Sequence, residues 1–261
     1  MKADYKNWVP KKMIVWLAIA SAVFFVLCAV CGSTHLIHNS VIKTVVTLVF
    51  LAVMLVCIYF LVWAVRAYKA FSYQGNRKLA RDIIEYVAAY AEIPEEGKGL
   101  DVGCGSGALT IACARRNPQA QMIGVDRWGK EYDFSRKLCE ANAEAEGVQN
   151  VSFQNGDARH LPFPDETFDF VTSNYVYHNI AGTDRQKLLK ESFRVLKKGG
   201  TFAIHDLMRP GIYGDLEQLD QELKDVGFER VGWLDTTKQL MTPKEAHQYM
   251  LDDSTLLYGK K

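Results

Sequence analysis

The chain has 261 residues, a formal net charge of +1 and 49% hydrophobic residues. This length allows one catalytic domain of medium size and a modest addition. Residues 71–261 carry 24 basic and 29 acidic side chains and no basic stripe, so we do not expect nucleic acid as a substrate. The six cysteines do not form a metal-ligand pattern, and we predict no metal site.

Two long apolar segments lie near the N-terminus. Residues 13–31 and residues 44–65 contain no charged side chain. Because a helix needs about 20 apolar residues to cross the hydrocarbon core of a bilayer, each segment is long enough to span it. We predict a two-helix transmembrane hairpin in residues 1–70 and a catalytic domain in residues 71–261. A signal peptide is the alternative for the first segment, but a second apolar span rarely follows one so closely. Two buried core helices are the other alternative, but core helices are rarely apolar on all faces.

Basic residues flank this pair of segments. Lys11 and Lys12 precede the first segment, and Arg66 and Lys69 follow the second. The connecting residues 32–43 contain one basic residue, Lys43. Positive charge is retained on the cytoplasmic side of a membrane. The pattern therefore predicts a multi-pass membrane protein whose termini and catalytic domain are both cytoplasmic.

The rest of the chain alternates between strand-like and helical segments. The strand-like runs are Gly99–Val102, Gln121–Asp126, Val151–Gln154, Phe168–Ser173, Thr201–Asp206 and Phe228–Leu234. The helical segments are Leu79–Glu92, Ala108–Asn117, Tyr132–Glu146, Asp184–Leu196 and Leu216–Val226. This alternation predicts an α/β domain with a doubly wound, Rossmann-like and mostly parallel sheet.

A glycine-rich loop follows the first of these strands. In Leu100–Thr110 (LDVGCGSGALT), glycines occupy positions 103, 105 and 107. Such spacing is typical of a strand that turns sharply into a helix, and the missing Cβ atoms let a ligand lie against the backbone. The loop predicts a nucleotide-type cofactor. It also fits the dinucleotide fingerprint, with Asp126 about 20 residues further on, so the loop alone leaves an NAD(P)-dependent oxidoreductase open.

Three further features favour S-adenosylmethionine over NAD. Asp101 ends a buried strand, where a carboxylate is costly unless a cation such as an amino-acid ammonium group lies beside it, and NAD has no such group. Asp157 and Ala158 follow the third strand, in a position suited to the adenine edge. Asn174 ends the fourth strand. Ligands of such sheets bind beyond the carboxyl ends of the strands, so all of these residues should meet in one crevice.

Taken in order, the D-x-G-x-G-x-G loop, GVD at 124–126, GDA at 156–158 and RVLKKGG at 194–200 resemble the class I S-adenosylmethionine-dependent methyltransferases. The resemblance covers residues 79–259 and implies a seven-stranded sheet whose last strand, residues 254–259, is antiparallel. It implies that Asp101 and the glycines hold the methionine portion, that Asp126 binds the ribose hydroxyls, and that S-adenosylhomocysteine is the product. The candidate cofactor-binding residues are Asp101, Gly103, Cys104, Gly105, Gly107, Asp126, Arg127, Trp128, Asp157, Ala158 and Asn174.

The roles of Trp128 and His178 stay open. Trp128 packs on the adenine or seats the following helix on the sheet. In similar methyltransferases the loop after the fourth strand faces the acceptor, and here it supplies the catalytic candidates Tyr177 and His178. Histidine titrates near neutral pH, so His178 is suited to deprotonating an acceptor, or it only shapes the pocket. His205, Asp206 and Arg209, after the fifth strand, are expected to line the far wall of the crevice, or they have a structural role in which Asp206 pairs with Arg209.

These residues predict a membrane-anchored methyltransferase that acts on a small or lipophilic acceptor. The motifs also resemble those of the quinone-pathway C-methyltransferases, which usually lack an integral hairpin. An NAD(P)-dependent membrane-bound oxidoreductase and a non-catalytic membrane scaffold with this fold are the alternatives.

Overall fold

The structure is a computed structural model that describes residues 2–34, 36–129 and 134–261. It contains two compact units. One unit is Asn7–Ala80, and the other combines Met1–Lys6 with Arg81–Lys261.

The first unit is a pair of long helices. Helix α1 covers Lys11–Ser33 and α2 covers Ser40–Phe71. The two helices pack on each other, and the rings of Phe24 and Phe50 lie 5.9 Å apart. Most of their large apolar side chains are exposed, as in Trp16. Each helix is long and apolar enough to be a candidate membrane span.

The second unit is built on a seven-stranded sheet. Its strands are β1 (Lys98–Val102), β2 (Gln121–Asp126), β3 (Val151–Asn155), β4 (Phe168–Asn174), β5 (Leu196–Leu207), β6 (Arg230–Asp235) and β7 (Ser254–Lys260). The spatial order is β3-β2-β1-β4-β5-β7-β6. β7 runs antiparallel to both of its neighbours, and the strand pairs from β3 to β5 are parallel. The predicted doubly wound fold and its antiparallel last strand are confirmed.

Helices of this unit connect the strands. They are α3 (Leu79–Ala88), α4 (Ala108–Arg116), α5 (Arg136–Ala145), α6 (Arg185–Val195), α7 (Pro210–Tyr213), α8 (Leu216–Asp225), α9 (Thr237–Leu240) and α10 (Pro243–Gln248). A single 3₁₀ turn, Tyr177–Asn179, follows β4. The start of the helix predicted at Tyr132 lies outside the described residues. β5 begins at Leu196, five residues earlier than expected, because the KKGG segment continues the strand.

An aromatic cluster joins the sheet to the helices beside β5. The ring of Phe193 on α6 lies 4.9 Å from that of Phe202 on β5 and 5.0 Å from that of Phe228. Phe168 and Phe170 on β4 are completely buried. Because each aromatic side chain removes a large apolar area from water, these contacts stabilise the packing of α6 on β5.

Gly259 on β7 lies against the backbone of β6. A Cβ atom at Gly259 would lie 1.9 Å from the backbone oxygen of Arg230. We expect Gly259→Ala to lower the free energy of unfolding by about 1–3 kcal/mol, because the two strands would have to move apart. Gly211→Ala is the control, since nothing lies within 4 Å of its added Cβ. Urea denaturation of the full chain in detergent measures both, and equal losses would contradict the explanation.

Candidate cofactor and acceptor site

The candidate site lies at one edge of the sheet, where the parallel strands end. β1 pairs with β2 on one side and with β4 on the other, with Asp101 opposite Gly124 and Thr172. Asn174 lies opposite His205 on β5. The carboxyl ends of β1, β2 and β4 therefore meet at the same edge, at the point where the strand order reverses.

Asp126 at the end of β2 binds the glycine-rich loop. Its Oδ2 accepts a hydrogen bond from the backbone amide of Gly105 at 2.9 Å, and its Oδ1 accepts one from the amide of Trp128 at 2.6 Å. The Trp128 indole donates to the Gly105 oxygen at 3.0 Å. Trp128 thus bridges β2 to the loop, and its stacking on an adenine stays a prediction.

The three glycines adopt backbone conformations that favour glycine. Their φ angles are +77° at Gly103, +55° at Gly105 and +82° at Gly107. A Cβ atom at Gly103 would also lie 2.4 Å from Val176, in the segment after β4. The loop therefore packs directly against the segment that carries the catalytic candidates. Between the first two glycines, Cys104 is buried.

Asp101 is a buried carboxylate whose negative charge the protein itself stabilises little. It is 1% exposed, and the Thr110 hydroxyl donates to its Oδ2 at 2.6 Å. Burial raises the pKa of Asp101 to about 7, and the nearby charge of Asp126 also raises it. A cation placed beside this carboxylate would favour its ionised form. The site therefore fits a ligand with an ammonium group, such as S-adenosylmethionine.

Asp157 is engaged by arginines. Arg159 donates to both carboxylate oxygens, at 2.6–3.1 Å, and the Nε of Arg127 lies 3.7 Å away. The hydrogen bonds from Arg159 lower the pKa of Asp157 to about 2. An adenine amino group would share this ionised carboxylate with Arg159. Ala158 beside it is buried.

Asn174 belongs to a hydrogen-bonded chain inside the sheet edge. Its Oδ1 lies 2.8 Å from Nδ1 of His205, and Nε2 of His205 lies 2.8 Å from the Thr236 hydroxyl. Burial lowers the pKa of His205 to about 4, so this imidazole is neutral at pH 7. The chain fixes the Asn174 side chain at the end of β4.

The two catalytic candidates occupy different environments. Tyr177 is completely buried, and its hydroxyl hydrogen bonds with that of Ser192 in the core at 2.6 Å. The Tyr177 side chain therefore lies in the hydrophobic core with no exposed hydroxyl group, and its catalytic role stays a prediction. The His178 side chain is 19% exposed, and its Nδ1 hydrogen bonds with Asp206.

The expected pairing of Asp206 with Arg209 is not what the structure shows. Asp206 contacts His178 and the hydroxyl of Tyr213. Sequence reasoning missed this pair because 28 residues separate its members, and no local pattern connects the ends of β4 and β5.

Comparisons with known proteins find similar methyltransferases. Residues 100–204 match the model of the methyltransferase domain family. The chain is 37% identical over 121 residues to an uncharacterized methyltransferase, YcgJ of Bacillus subtilis, covering 46% of this chain and 44% of that protein. It is 32% identical over 147 residues to a demethylmenaquinone methyltransferase of Geobacillus stearothermophilus, covering 55% of this chain and 57% of that protein. Residues 100–204 are therefore similar to a methyltransferase domain, and the seven-stranded sheet has the fold of the class I S-adenosylmethionine-dependent methyltransferases.

Two solved structures share the fold of this methyltransferase domain. The [4+2]-cyclase SpnF has a TM-score of 0.55 at 22% identity, with 70% of this chain and 80% of that one covered. Phosphoethanolamine N-methyltransferase 2 of Haemonchus contortus, bound to S-adenosylhomocysteine, has a TM-score of 0.53 at 18% identity, with 74% and 56% covered. The chain spans about half the length of the curated relatives it matches.

The raised pKa of Asp101 makes the stability of the domain depend on pH. The folded protein holds this proton up to about pH 7, whereas the unfolded chain loses it near pH 4. The contribution of Asp101 to the free energy of unfolding should therefore fall as the pH rises from 4 to 7.

Urea denaturation at pH 5 and pH 7.5 measures this dependence. Asp101→Asn should remove part of the loss of stability between the two values, and Asp225→Asn, an exposed control, should leave the loss unchanged. The same pH dependence in Asp101→Asn and in the wild type would show that Asp101 ionises normally.

Proposed function

We propose that this protein is a membrane-anchored methyltransferase that moves the methyl group of S-adenosylmethionine to a small or lipophilic acceptor. The observation that carries the proposal is the meeting of Asp101, Asp126 and the glycine-rich loop at one sheet edge, with His178 in the adjoining segment. The demethylmenaquinone methyltransferases among the relatives act, by name, on a quinone precursor, which supports a lipophilic acceptor here.

Each residue contributes binding or orientation. Asp101 would pair with the ammonium group of the cofactor, together with Asn174, and Asp126 would accept hydrogen bonds from the ribose hydroxyls. S-adenosylmethionine supplies an electrophilic methyl group on a sulfonium, so the chain mainly aligns the acceptor and excludes water. The same Asp101 argues against an NAD(P)-dependent oxidoreductase, since the nicotinamide cofactor offers this buried carboxylate no ammonium group.

Cofactor binding is the first test of this proposal. Full-length protein in detergent, titrated calorimetrically, should bind S-adenosylhomocysteine and should not bind NADH. Asp126→Asn should weaken binding at least tenfold, because hydrogen bonds to a charged acceptor contribute about 1.5–3 kcal/mol each.

The control for this titration is Asp225→Asn, at the exposed end of α8, which should bind like the wild type. NADH binding would favour the oxidoreductase. Binding of neither ligand would favour the non-catalytic scaffold.

We further infer that both termini and the methyltransferase domain face the cytoplasm, with α1 and α2 crossing the membrane. Basic residues at the outer ends of both helices support this orientation. The large exposed apolar surface of the helices supports their insertion, because such a surface is unfavourable in water.

Cysteine labelling in intact bacterial cells tests this orientation. A membrane-impermeant maleimide should label His38→Cys, in the segment between the two helices, without lysis. It should label Lys224→Cys, at an exposed position of α8, only after lysis. None of the native cysteines is fully exposed, and the unsubstituted protein gives the background. The reverse labelling pattern would place the domain outside.

A further inference from the structure

Asp206 is a buried carboxylate that is fully supplied with hydrogen bonds. Its Oδ1 accepts from the backbone amide of Leu207 at 2.7 Å and pairs with Nδ1 of His178. Its Oδ2 accepts from the backbone amide of His178 at 3.0 Å and from the Tyr213 hydroxyl at 2.8 Å. Burial alone would raise the pKa of Asp206, but the hydrogen bonds from His178 and Tyr213 hold it below the usual value. Asp206 is therefore ionised at neutral pH.

An ionised Asp206 determines which nitrogen of His178 carries the proton. A carboxylate can only accept hydrogen bonds, so the proton between the two side chains belongs to Nδ1. In the neutral imidazole, Nε2 then holds the free electron pair. Within the described part of the chain, no hydrogen bond to Nε2 is formed, and the side chain is partly exposed.

His178 lies in the segment that packs against the glycine-rich loop. His178 follows β4 by four residues, and Val176 in the same segment covers Gly103 of the glycine-rich loop. Tyr175 in this segment has a φ of +53°, an uncommon conformation for a residue with a side chain. Such outliers persist only where the surrounding structure holds them, and here a hydrogen bond from the Tyr175 amide to the His205 oxygen does so.

A positive charge lies beside this histidine. Nη2 of Arg185 donates to the backbone oxygen of His178 at 3.2 Å, and Nη1 donates to that of Thr183 at 2.6 Å. Among residues 2–34, 36–129 and 134–261, no carboxylate forms an ion pair with Arg185, and its buried Nε has no hydrogen-bond partner. This charge offsets that of ionised Asp206, which also contacts His178, and so favours an acceptor that becomes negative over one that arrives as an ammonium ion.

We propose that His178 is the general base of the reaction, that Asp206 is its positioning residue, and that the acceptor carries a weakly acidic hydroxyl group of the phenol or enol type. This inference rests on the proposed methyltransferase function. It specifies the acceptor class, because a base is needed only where the acceptor arrives protonated.

The atoms and charges of this step balance. The hydroxyl proton passes to Nε2 of His178, and the resulting imidazolium is neutralised by Asp206. The acceptor oxygen, or the carbon conjugated with it, forms a bond to the methyl carbon while the methyl–sulfur bond breaks and its electron pair stays on sulfur. Where carbon is methylated, the imidazolium returns the hydroxyl proton to the oxygen, and Nε2 then accepts the proton of the methylated carbon, so that one proton remains on His178 in either case.

The experiment is nitrogen NMR of the full-length protein in detergent, labelled with ¹⁵N-histidine and saturated with S-adenosylhomocysteine. At pH 8 the His178 signals, assigned by their loss in His178→Gln, should show a protonated Nδ1 and an unprotonated Nε2. Adding 2-naphthol should shift the Nε2 signal, and adding 1-naphthylmethylamine, its ammonium counterpart, should not.

Two variants separate positioning from support of the fold. Asp206→Asn should change the proton distribution between the two His178 nitrogens, whereas Tyr213→Phe removes one donor to Asp206 and should leave it unchanged. If Asp206→Asn does not fold, the wild-type spectrum still shows which nitrogen of His178 carries the proton.

A protonated Nε2 in the wild type would overturn the inference, as would an absent response to 2-naphthol or an equal response to the ammonium compound. Binding of S-adenosylhomocysteine, measured calorimetrically on the same samples, tests the methyltransferase function separately. If the protein binds the cofactor but gives one of these contradicting spectra, the roles of His178 and the acceptor class are rejected, and the methyltransferase function is not.

Discussion

The parallel pairing of β1 with β2 on one side and β4 on the other determines where every candidate side chain lies. The strand order reverses at β1, and open α/β sheets bind ligands beyond the carboxyl ends of the strands at such a point. The hydrogen bonds of Asp126 to the amides of Gly105 and Trp128 then tie the glycine-rich loop to β2. The cofactor side of the crevice is therefore formed by backbone and carboxylate groups that rigid strands hold in place.

Two buried carboxylates on this edge have opposite electrostatic environments. Asp101 receives a hydrogen bond from Thr110, and burial raises its pKa to about 7. Asp206 is as deeply buried, but its four donors keep its pKa below the usual value. The difference separates their roles, since Asp101 suits a cationic ligand group, whereas ionised Asp206 suits a histidine that it orients.

The fold alone does not name the reaction. SpnF, named as a [4+2]-cyclase, and an N-methyltransferase share the architecture of this domain, so the reaction depends on the residues around the acceptor. In this chain we propose that those residues are His178 and its neighbours after β4 and β5. The proposed spans α1 and α2 would add a second constraint, because a domain tethered to a bilayer would meet lipophilic acceptors where they are concentrated.

The sequence by itself determined the order of strands and helices, the glycine-rich loop and the cofactor class. These features depend on local patterns: apolar periodicity, positive-φ glycines and acidic residues at strand ends. The tertiary structure decided the rest. Tyr177 and His178 are adjacent in sequence, yet the 3₁₀ turn sends one side chain into the core and the other towards Asp206. Asp206 and Arg185 come to His178 from β5 and α6, and only the packing of these elements brings such distant residues together.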